Sequence, residues 1–286
     1  MGLKINYDSP MALKNFLDSK GMSMQKKFGQ NFLINSQARK QLVDNLKLEE
    51  NTTVWEVGPG LGCMTTEIIE RGGKLTAFEI DRGFASILRE IFSGNEKFSI
   101  VEGDFLKTWK NYYKENGLPD RFFGNLPYNV AAAMVADMIS EEVRFSRAVI
   151  TVQKEVAMRM AAKPGTEDYS SFSVLCQWAY DISTITDLSG GCFWPKPNVD
   201  SRSVLMVKKE DFPRCKDPKT FMKILRAIFV QRRKTIKNNL NSITNSSQET
   251  EDILAKSGIE PSIRAEKLDL DTILKLSDVY FDFYKA

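Results

Sequence analysis

Asn125-Leu126-Pro127-Tyr128 puts a side-chain amide, a rigid turn and an aromatic ring within four residues. An exocyclic amine on a flat heterocycle is a poor nucleophile, because its lone pair is delocalised into the ring. Acceptors that hold its hydrogens re-aim the nitrogen, and Asn125 Oδ1 with the carbonyl of Leu126 or Pro127 can serve as those acceptors. The ring of Tyr128 can stack on the heterocycle, a contact of roughly 1–3 kcal/mol per base. The chemistry indicated is alkylation of a planar amine. Alone, the tetrapeptide is also compatible with a plain strand-to-loop turn, the less favoured of the two readings.

Three further groups stand upstream at regular intervals. Glu56-Val57-Gly58-Pro59-Gly60-Leu61-Gly62 follows a β-rich run and opens a helical pattern. Gly58 and Gly60 let the backbone pass close to a ligand at the carboxyl edge of a sheet. The dinucleotide fingerprint requires glycine where Cys63 stands, so the loop fits a nucleoside cofactor without phosphates. Glu79 ends the next run and can accept from both hydroxyls of a ribose. Asp104 ends the one after, where a carboxylate can accept from an adenine amino group.

The elements that must carry these residues are legible as alternation. Between Thr53 and Lys208, β-rich runs at 53–57, 75–79, 98–102, 122–125 and 148–152 alternate with helical patterns, the signature of a parallel sheet with crossover helices. Runs at 172–180 and 202–207 are expected to close the sheet as an antiparallel pair. A polar stretch with two prolines, 209–218, reads as a linker. Beyond it apolar residues recur only at helical spacing: Phe221, Ile224, Leu225 and Ile228, then Ile253 and Leu254, then Ile273, Leu274 and Leu276. Ser9-Pro10 reads as the cap and first turn of a short N-terminal helix.

Composition narrows the chemistry. The 286 residues, 42% hydrophobic and 27% charged, suit a water-soluble protein with one large and one small domain. The longest apolar run, 130–136, is too short to span a bilayer, and no secretory signal opens the chain, so no membrane association and a cytoplasmic location are expected. The chain contains no histidine. That excludes a histidine base, a Ser-His-Asp or Cys-His nucleophile and histidine-ligated metals. Cys63, Cys176, Cys192 and Cys215 show no paired spacing, and no metal is expected. The net charge of +3 is unevenly spread. No acid lies between Asp217 and Glu249, a stretch holding Arg232, Arg233 and Lys234 on an expected helix at 231–239. None lies between Asp18 and Asp44, which holds Lys26 and Lys27. Both stretches are candidate polyanion surfaces.

With these motifs assembled, the chain resembles the ribosomal RNA adenine dimethylase family, and within it the branch acting on small-subunit rRNA. The resemblance runs from about Lys26 to about Leu270. It rests on Phe28-Gly29-Gln30-Asn31-Phe32-Leu33, the glycine loop, Phe78-Glu79-Ile80-Asp81, Asp104, Asn125-Leu126-Pro127-Tyr128, Phe193-Trp194-Pro195-Lys196-Pro197-Asn198-Val199-Asp200-Ser201 and Gln231-Arg232-Arg233-Lys234. It implies an α/β fold: a Rossmann-like class I S-adenosylmethionine-dependent methyltransferase sheet with a small C-terminal all-helical domain. The expected domains are an N-terminal extension at 1–24, a catalytic domain at 25–210 and a helical RNA-binding domain at 211–286. It further implies S-adenosylmethionine as cofactor, contacted by Gly58, Gly60, Glu79, Asp104 and Asn125 and covered by Asn31 and Leu33. Tyr128 and Phe193 would sandwich a flipped adenine, at a flipping cost of a few kcal/mol. The implied reaction is dimethylation of N6 on two adjacent adenosines near the 3′ end of small-subunit rRNA, in ribosome biogenesis. The implied partner is that rRNA within a partly assembled small subunit, and the protein is expected to act as a monomer.

Two departures are visible: the residues ahead of the first motif, and a polar insertion at 108–120 that lengthens the approach to the fourth strand. Three alternatives stay open. One is dimethylation of large-subunit rRNA, as in the erythromycin-resistance branch. Another is a non-catalytic nucleic-acid-binding factor on the same fold, which the intact Glu79, Asp104 and Asn125 disfavour. The third is a protein or small-molecule amine methylase, which would not need the basic stretches.

Overall fold

Val54, Leu75, Ala77 and Phe123 alternate along their strands with Trp55, Thr76, Phe78 and Phe122, and the two sets point to opposite faces of one sheet. In the computed structural model, which describes residues 5–24, 30–127 and 130–285, both faces are covered. The strands are β1 (Phe32–Leu33), β2 (Thr53–Val57), β3 (Lys74–Glu79), β4 (Phe98–Glu102), β5 (Arg121–Asn125), β6 (Arg147–Gln153), β7 (Tyr180–Leu188), β8 (Phe193–Trp194) and β9 (Ser201–Lys208). Seven form a sheet in the order β4-β3-β2-β5-β6-β9-β7, and β1 pairs with β8 apart from it. The ladders from β4 through β6 are parallel, and β9 runs antiparallel to β6.

The helices are α1 (Pro10–Ser19), α2 (Ser36–Asp44), α3 (Cys63–Glu70), α4 (Arg82–Ile91), α5 (Phe105–Asn116), α6 (Ala131–Ser140), α7 (Lys154–Met160), α8 (Ser171–Ala179), α9 (Pro218–Phe229), α10 (Ile236–Leu240), α11 (Ser247–Ser257) and α12 (Leu270–Lys285). Leu42 and Val43 of α2 and Met64 and Ile68 of α3 close over Val54, Leu75, Ala77 and Phe123. On the other face Trp55 and Phe78 meet Phe105 and Tyr112 of α5 edge-on, with centroids 5.1–6.5 Å apart. Burying each such side chain contributes about 1.5–3 kcal/mol. Among the described residues no helix is long and apolar enough to cross a membrane.

One expectation is corrected. The run at 172–180 is not a strand: α8 occupies Ser171–Ala179, and the antiparallel neighbour of β6 is β9. Phe172, Val174, Leu175, Cys176, Trp178 and Ala179 are all buried, so the helix is apolar on every side and shows no periodicity. Its start is fixed by Ser173, whose hydroxyl accepts the Ser170 N–H at 3.1 Å. The polar stretch 108–120, expected to lengthen the approach to the fourth strand, is mostly α5, the crossover between β4 and β5. Trp109 there is 1% exposed and donates to Asp137 at 2.8 Å.

The chain forms two compact units that interleave along the sequence. One takes Met1–Met138, Val143–Ala157 and Ile182–Lys208. The other takes Ile139–Glu142, Met158–Asp181 and Lys209–Ala286. The first holds the sheet. In the second, α9 and α12 pack with α8, α11 packs on α12, and Trp178 stacks obliquely on Phe212 and Phe221 at 4.4 and 4.3 Å. No strand follows Lys208 among the described residues. Asp217 caps α9, and Asp269 accepts the Thr272 N–H at 2.8 Å at the start of α12.

Candidate active site

Strand register brings the sequence-predicted residues to one edge. Val57 is paired with Phe78 and with Gly124, and Glu79 with Glu102. The next positions, Gly58, Glu79, Asp104 and Asn125, therefore line the carboxyl ends of four adjacent parallel strands. That edge is where open α/β sheets bind ligands.

Gly58, Gly60 and Gly62 all have positive φ, of 71°, 57° and 86°, which explains their residue type. A Cβ on Gly60 would lie 2.6 Å from the ring of Phe32, and one on Gly58 would lie 3.5 Å from the Asn125 carbonyl. The loop is thus pressed between β1 and β5. Glu79 is 4% exposed, and its two oxygens accept the Gly60 N–H at 3.1 Å and the Asp81 N–H at 2.8 Å. Burial pushes its carboxyl up to about 7 despite those bonds. Glu56, 1% exposed, is pushed up to about 8 by burial, opposed by the Thr65 hydroxyl that donates to it at 2.6 Å. Burial also pushes the Cys63 thiol up to about 12, which leaves it inert at neutral pH.

Two small cavities flank Glu79. One, of about 60 Å³, is lined by Gln30, Asn31, Phe32, Gly60, Asn125 and Leu126. The other, of about 140 Å³, is lined by Gly103, Asp104, Phe105, Leu106, Val130 and Met134. Gly58, Glu79, Ile80 and Pro127 border both. An elongated ligand with a flat apolar end and a polar tail matches this pair, the flat end against Leu106, Val130 and Met134 and the tail at the glycine loop. Asp104 holds the helix behind it by accepting the Leu106 N–H at 3.1 Å. The residues fit a phosphate-free nucleoside cofactor, since the edge offers carboxylates and small backbone rather than a phosphate cradle.

Asn125 Nδ2 donates to the Asn31 carbonyl at 2.9 Å. A carbonyl partner fixes the amide the right way round and presents Oδ1 as the remaining acceptor. The Leu126 N–H donates to Thr151 across β6 at 3.0 Å, and Pro127's carbonyl accepts from both Val130 and Ala131 at the start of α6. Leu33 is 2% exposed and paired with Phe193, itself 3% exposed within the apolar cluster of Leu33, Leu42 and Val43. Trp194, next to it, stacks on Phe32 with centroids 6.2 Å apart. Tyr128, Lys26 and Lys27 lie outside the described residues.

The second unit holds Arg232, Arg233 and Lys234. The expected helix at 231–239 is corrected: 231–235 is a turn between α9 and α10, and Thr235 caps α10 by accepting the Asn238 N–H. Asn239 pins the turn by donating to the Ile228 and Gln231 carbonyls at 2.8 and 3.1 Å. Arg232 donates to the Glu167 carbonyl at 2.8 Å and lies 3.6 Å from Glu266, while Arg233 and Lys234 are exposed. Among the described residues no three His, Cys, Asp or Glu side chains converge as metal ligands.

Sequence reasoning missed Phe32, Ile80, Leu106, Val130 and Met134 as lining residues. Ile80 is 43% exposed directly after Glu79, an apolar side chain left in water beside a buried carboxylate, and that contrast exists only in the folded chain.

Comparison with known proteins bears on this edge. The profile of the ribosomal RNA adenine dimethylase family matches residues 21–282. Ribosomal RNA small subunit methyltransferase A of Treponema denticola is 47% identical over 279 residues, 96% of this chain and 95% of that protein. Among solved structures, a dimethyladenosine transferase from Plasmodium falciparum superposes with a TM-score of 0.75 at 23% identity, covering 88% of this chain and 96% of that one. The 23S rRNA methyltransferase ErmE superposes with a TM-score of 0.63 at 22% identity, covering 86% and 98%. At these identities both likenesses speak for the fold alone.

Proposed function

This chain belongs to the ribosomal RNA adenine dimethylase family, and on that premise we propose that its sheet edge binds S-adenosylmethionine and methylates two adjacent adenosines near the 3′ end of small-subunit rRNA. The chain is an rRNA adenine-N6,N6-dimethyltransferase. The observation that carries the site assignment is the register that aligns Gly58, Glu79, Asp104 and Asn125 on one edge.

When bound, the cofactor supplies an electrophilic methyl group on a sulfonium sulfur. Glu79 accepts from its ribose hydroxyls, Asp104 from its adenine amino group, and Asn31 and Leu33 cover it beside Gly58 and Gly60. Asn125 Oδ1 accepts one hydrogen of the substrate amine. Both lone pairs of the Pro127 carbonyl are directed to Val130 and Ala131, so the Leu126 carbonyl is the second acceptor. With two acceptors in place the nitrogen lone pair turns out of conjugation, and orientation replaces acid–base strength as the source of rate. Tyr128 is assigned one face of the flipped adenine and Phe193 the other. Phe193 must turn out of its apolar cluster to reach the base. Arg233 and Lys234, with Lys26, Lys27 and to a lesser extent Arg232, neutralise RNA phosphates. The proposed partner is a partly assembled small subunit, the enzyme acts as a monomer, and its compartment is the cytoplasm.

The test is transfer of labelled methyl groups to small subunits lacking the modification, followed by nucleoside analysis. Two equivalents of N6,N6-dimethyladenosine per subunit are expected. Incorporation only into naked large-subunit rRNA reassigns the substrate, and no incorporation into any RNA overturns the catalytic assignment.

A further inference from the structure

Arg39 of α2 has a side chain only 6% exposed, and its guanidinium reaches in two directions. Nη1 donates to the Leu33 carbonyl at 2.9 Å, and Nη2 meets the Asp8 carboxylate at 2.5 Å. Glu67 stands farther off, 4.0 Å from Nε. A buried guanidinium requires a close counter-charge, and Asp8 is the nearest. One residue earlier, the Tyr7 hydroxyl donates to the Leu61 carbonyl at 2.9 Å, inside the glycine loop. The chain then enters α1, where Ser9 accepts the Ala12 N–H and sets the direction of the helix. Leu13 and Leu17, 0% and 3% exposed, pack with Phe32, Leu61, Phe84 and Ile87. Met22 closes the segment against Gly83, where a Cβ would lie 2.5 Å from its methyl. Both backbone stretches that border the cofactor site, at 31–33 and 58–62, are thus tied to residues 5–24.

We propose that residues 5–24 are a cofactor latch: Asp8, acting through Arg39, and Tyr7, acting on Leu61, hold the two borders of the cofactor site in place. The latch rests on the S-adenosylmethionine reading given above. Tyr7, Asp8 and Arg39 are positioning residues, since each acts through a backbone carbonyl. The segment's charge argues for this role over an RNA-binding arm. Lys14 and Lys20 are balanced by Asp8 and Asp18, and Lys20 is paired with Glu90 at 2.7 Å. Such a surface offers phosphates no excess of cations.

The experiment measures S-adenosylmethionine binding by calorimetry, and both KM values and kcat by methyl transfer, for the full chain and for Tyr7→Phe, Asp8→Ala and Asp8→Glu. Tyr7→Phe removes one oxygen, and Asp8→Ala leaves Glu67, 4.0 Å from Nε, as the counter-charge of Arg39, so circular dichroism on each chain confirms the parent's fold before titration. Tyr7→Phe and Asp8→Ala should each weaken cofactor binding about three- to tenfold, with the loss in KM for the cofactor rather than in kcat. Asp8→Glu should recover most of it, and KM for RNA should stay at the parent value. Unchanged cofactor affinity in both weakened variants overturns the latch, even if their melting temperatures fall. So does a loss confined to RNA affinity. A parent chain that fails to bind the cofactor overturns the underlying reading instead, and the parent titration alone separates that case.

Discussion

The side-chain amide of Asn125 donates to the backbone carbonyl of Asn31 at 2.9 Å, linking the end of β5 to the strand expected to cover the cofactor. This bond orients an acceptor without consuming it. Asn125→Ala should therefore lower kcat by about a hundredfold or more, the scale for losing one oriented polar group at a reacting centre. Cofactor affinity should fall far less. Labelled methyl transfer with calorimetry on the same preparation checks both, and parent-level transfer by the variant would remove Asn125 from the mechanism.

Glu79 and Glu56 make the pH dependence of stability and of ligand binding run in opposite directions. Their carboxyls are pushed up from 4.5 to about 7 and about 8, with burial the main cause. The folded chain retains protons that the unfolded chain releases. The stability they contribute is full below about pH 4.5 and is lost as pH rises through about 8. Glu56→Gln should flatten that decline by up to roughly 1.4 kcal/mol per pH unit. Denaturant titrations at several pH values read the slope, and parallel slopes for parent and variant would contradict a buried neutral Glu56. Ribose hydroxyls favour ionised Glu79, so cofactor affinity should rise through pH 7 with release of a proton, detectable as a buffer-dependent binding enthalpy.

The basic turn at 231–235 predicts an unequal division of labour. Arg232 is engaged by Glu167 and Glu266, whereas Arg233 and Lys234 project into water. Arg233→Ala and Lys234→Ala should each reduce the salt slope of RNA binding by about 0.7–0.9, one phosphate apiece. Arg232→Ala should reduce it less and lower the melting temperature more. Equal slopes for all three variants and the parent would place RNA elsewhere.

Phe193 faces two demands, and two substitutions separate them. Its ring is 3% exposed among Leu33, Leu42 and Val43, so Phe193→Ala should destabilise the chain by about 3–5 kcal/mol. Phe193→Leu refills most of that volume but offers no aromatic face. It should keep most of the stability and raise KM for RNA, as steady-state kinetics would show. Parent-like kinetics for Phe193→Leu would leave Phe193 with packing alone.

Legibility in the sequence followed how local the signal was. The glycine loop, Glu79, Asp104 and Asn125 each end a short β-rich run. The sheet and its functional edge could thus be read strand by strand, and the register then brought them together. α8 could not be read this way, because a segment buried on all sides looks the same as a strand or a helix. The basic residues at 232–234 mark charge but not conformation, and the turn there is set by Asn239, several residues on. The bond from Gly60 to Glu79, and the one between Asp8 and Arg39, join residues far apart in the chain. No spacing rule reports such contacts.

The interleaving of the two units has a consequence for biogenesis. The chain contributes 158–181 to the helical unit before it lays down β9, and finishes that unit only after 209. On the ribosome, α8 emerges with Phe172 and Trp178 exposed, and Phe221, which covers Trp178, is made later. A nascent chain stopped after Lys208 would hold every residue of the sheet unit, yet would carry a sticky helix with no shelter. Until 209–286 is made, the finished sheet unit therefore travels with an uncovered apolar helix in its own chain, the kind of surface that chaperones and aggregates both capture.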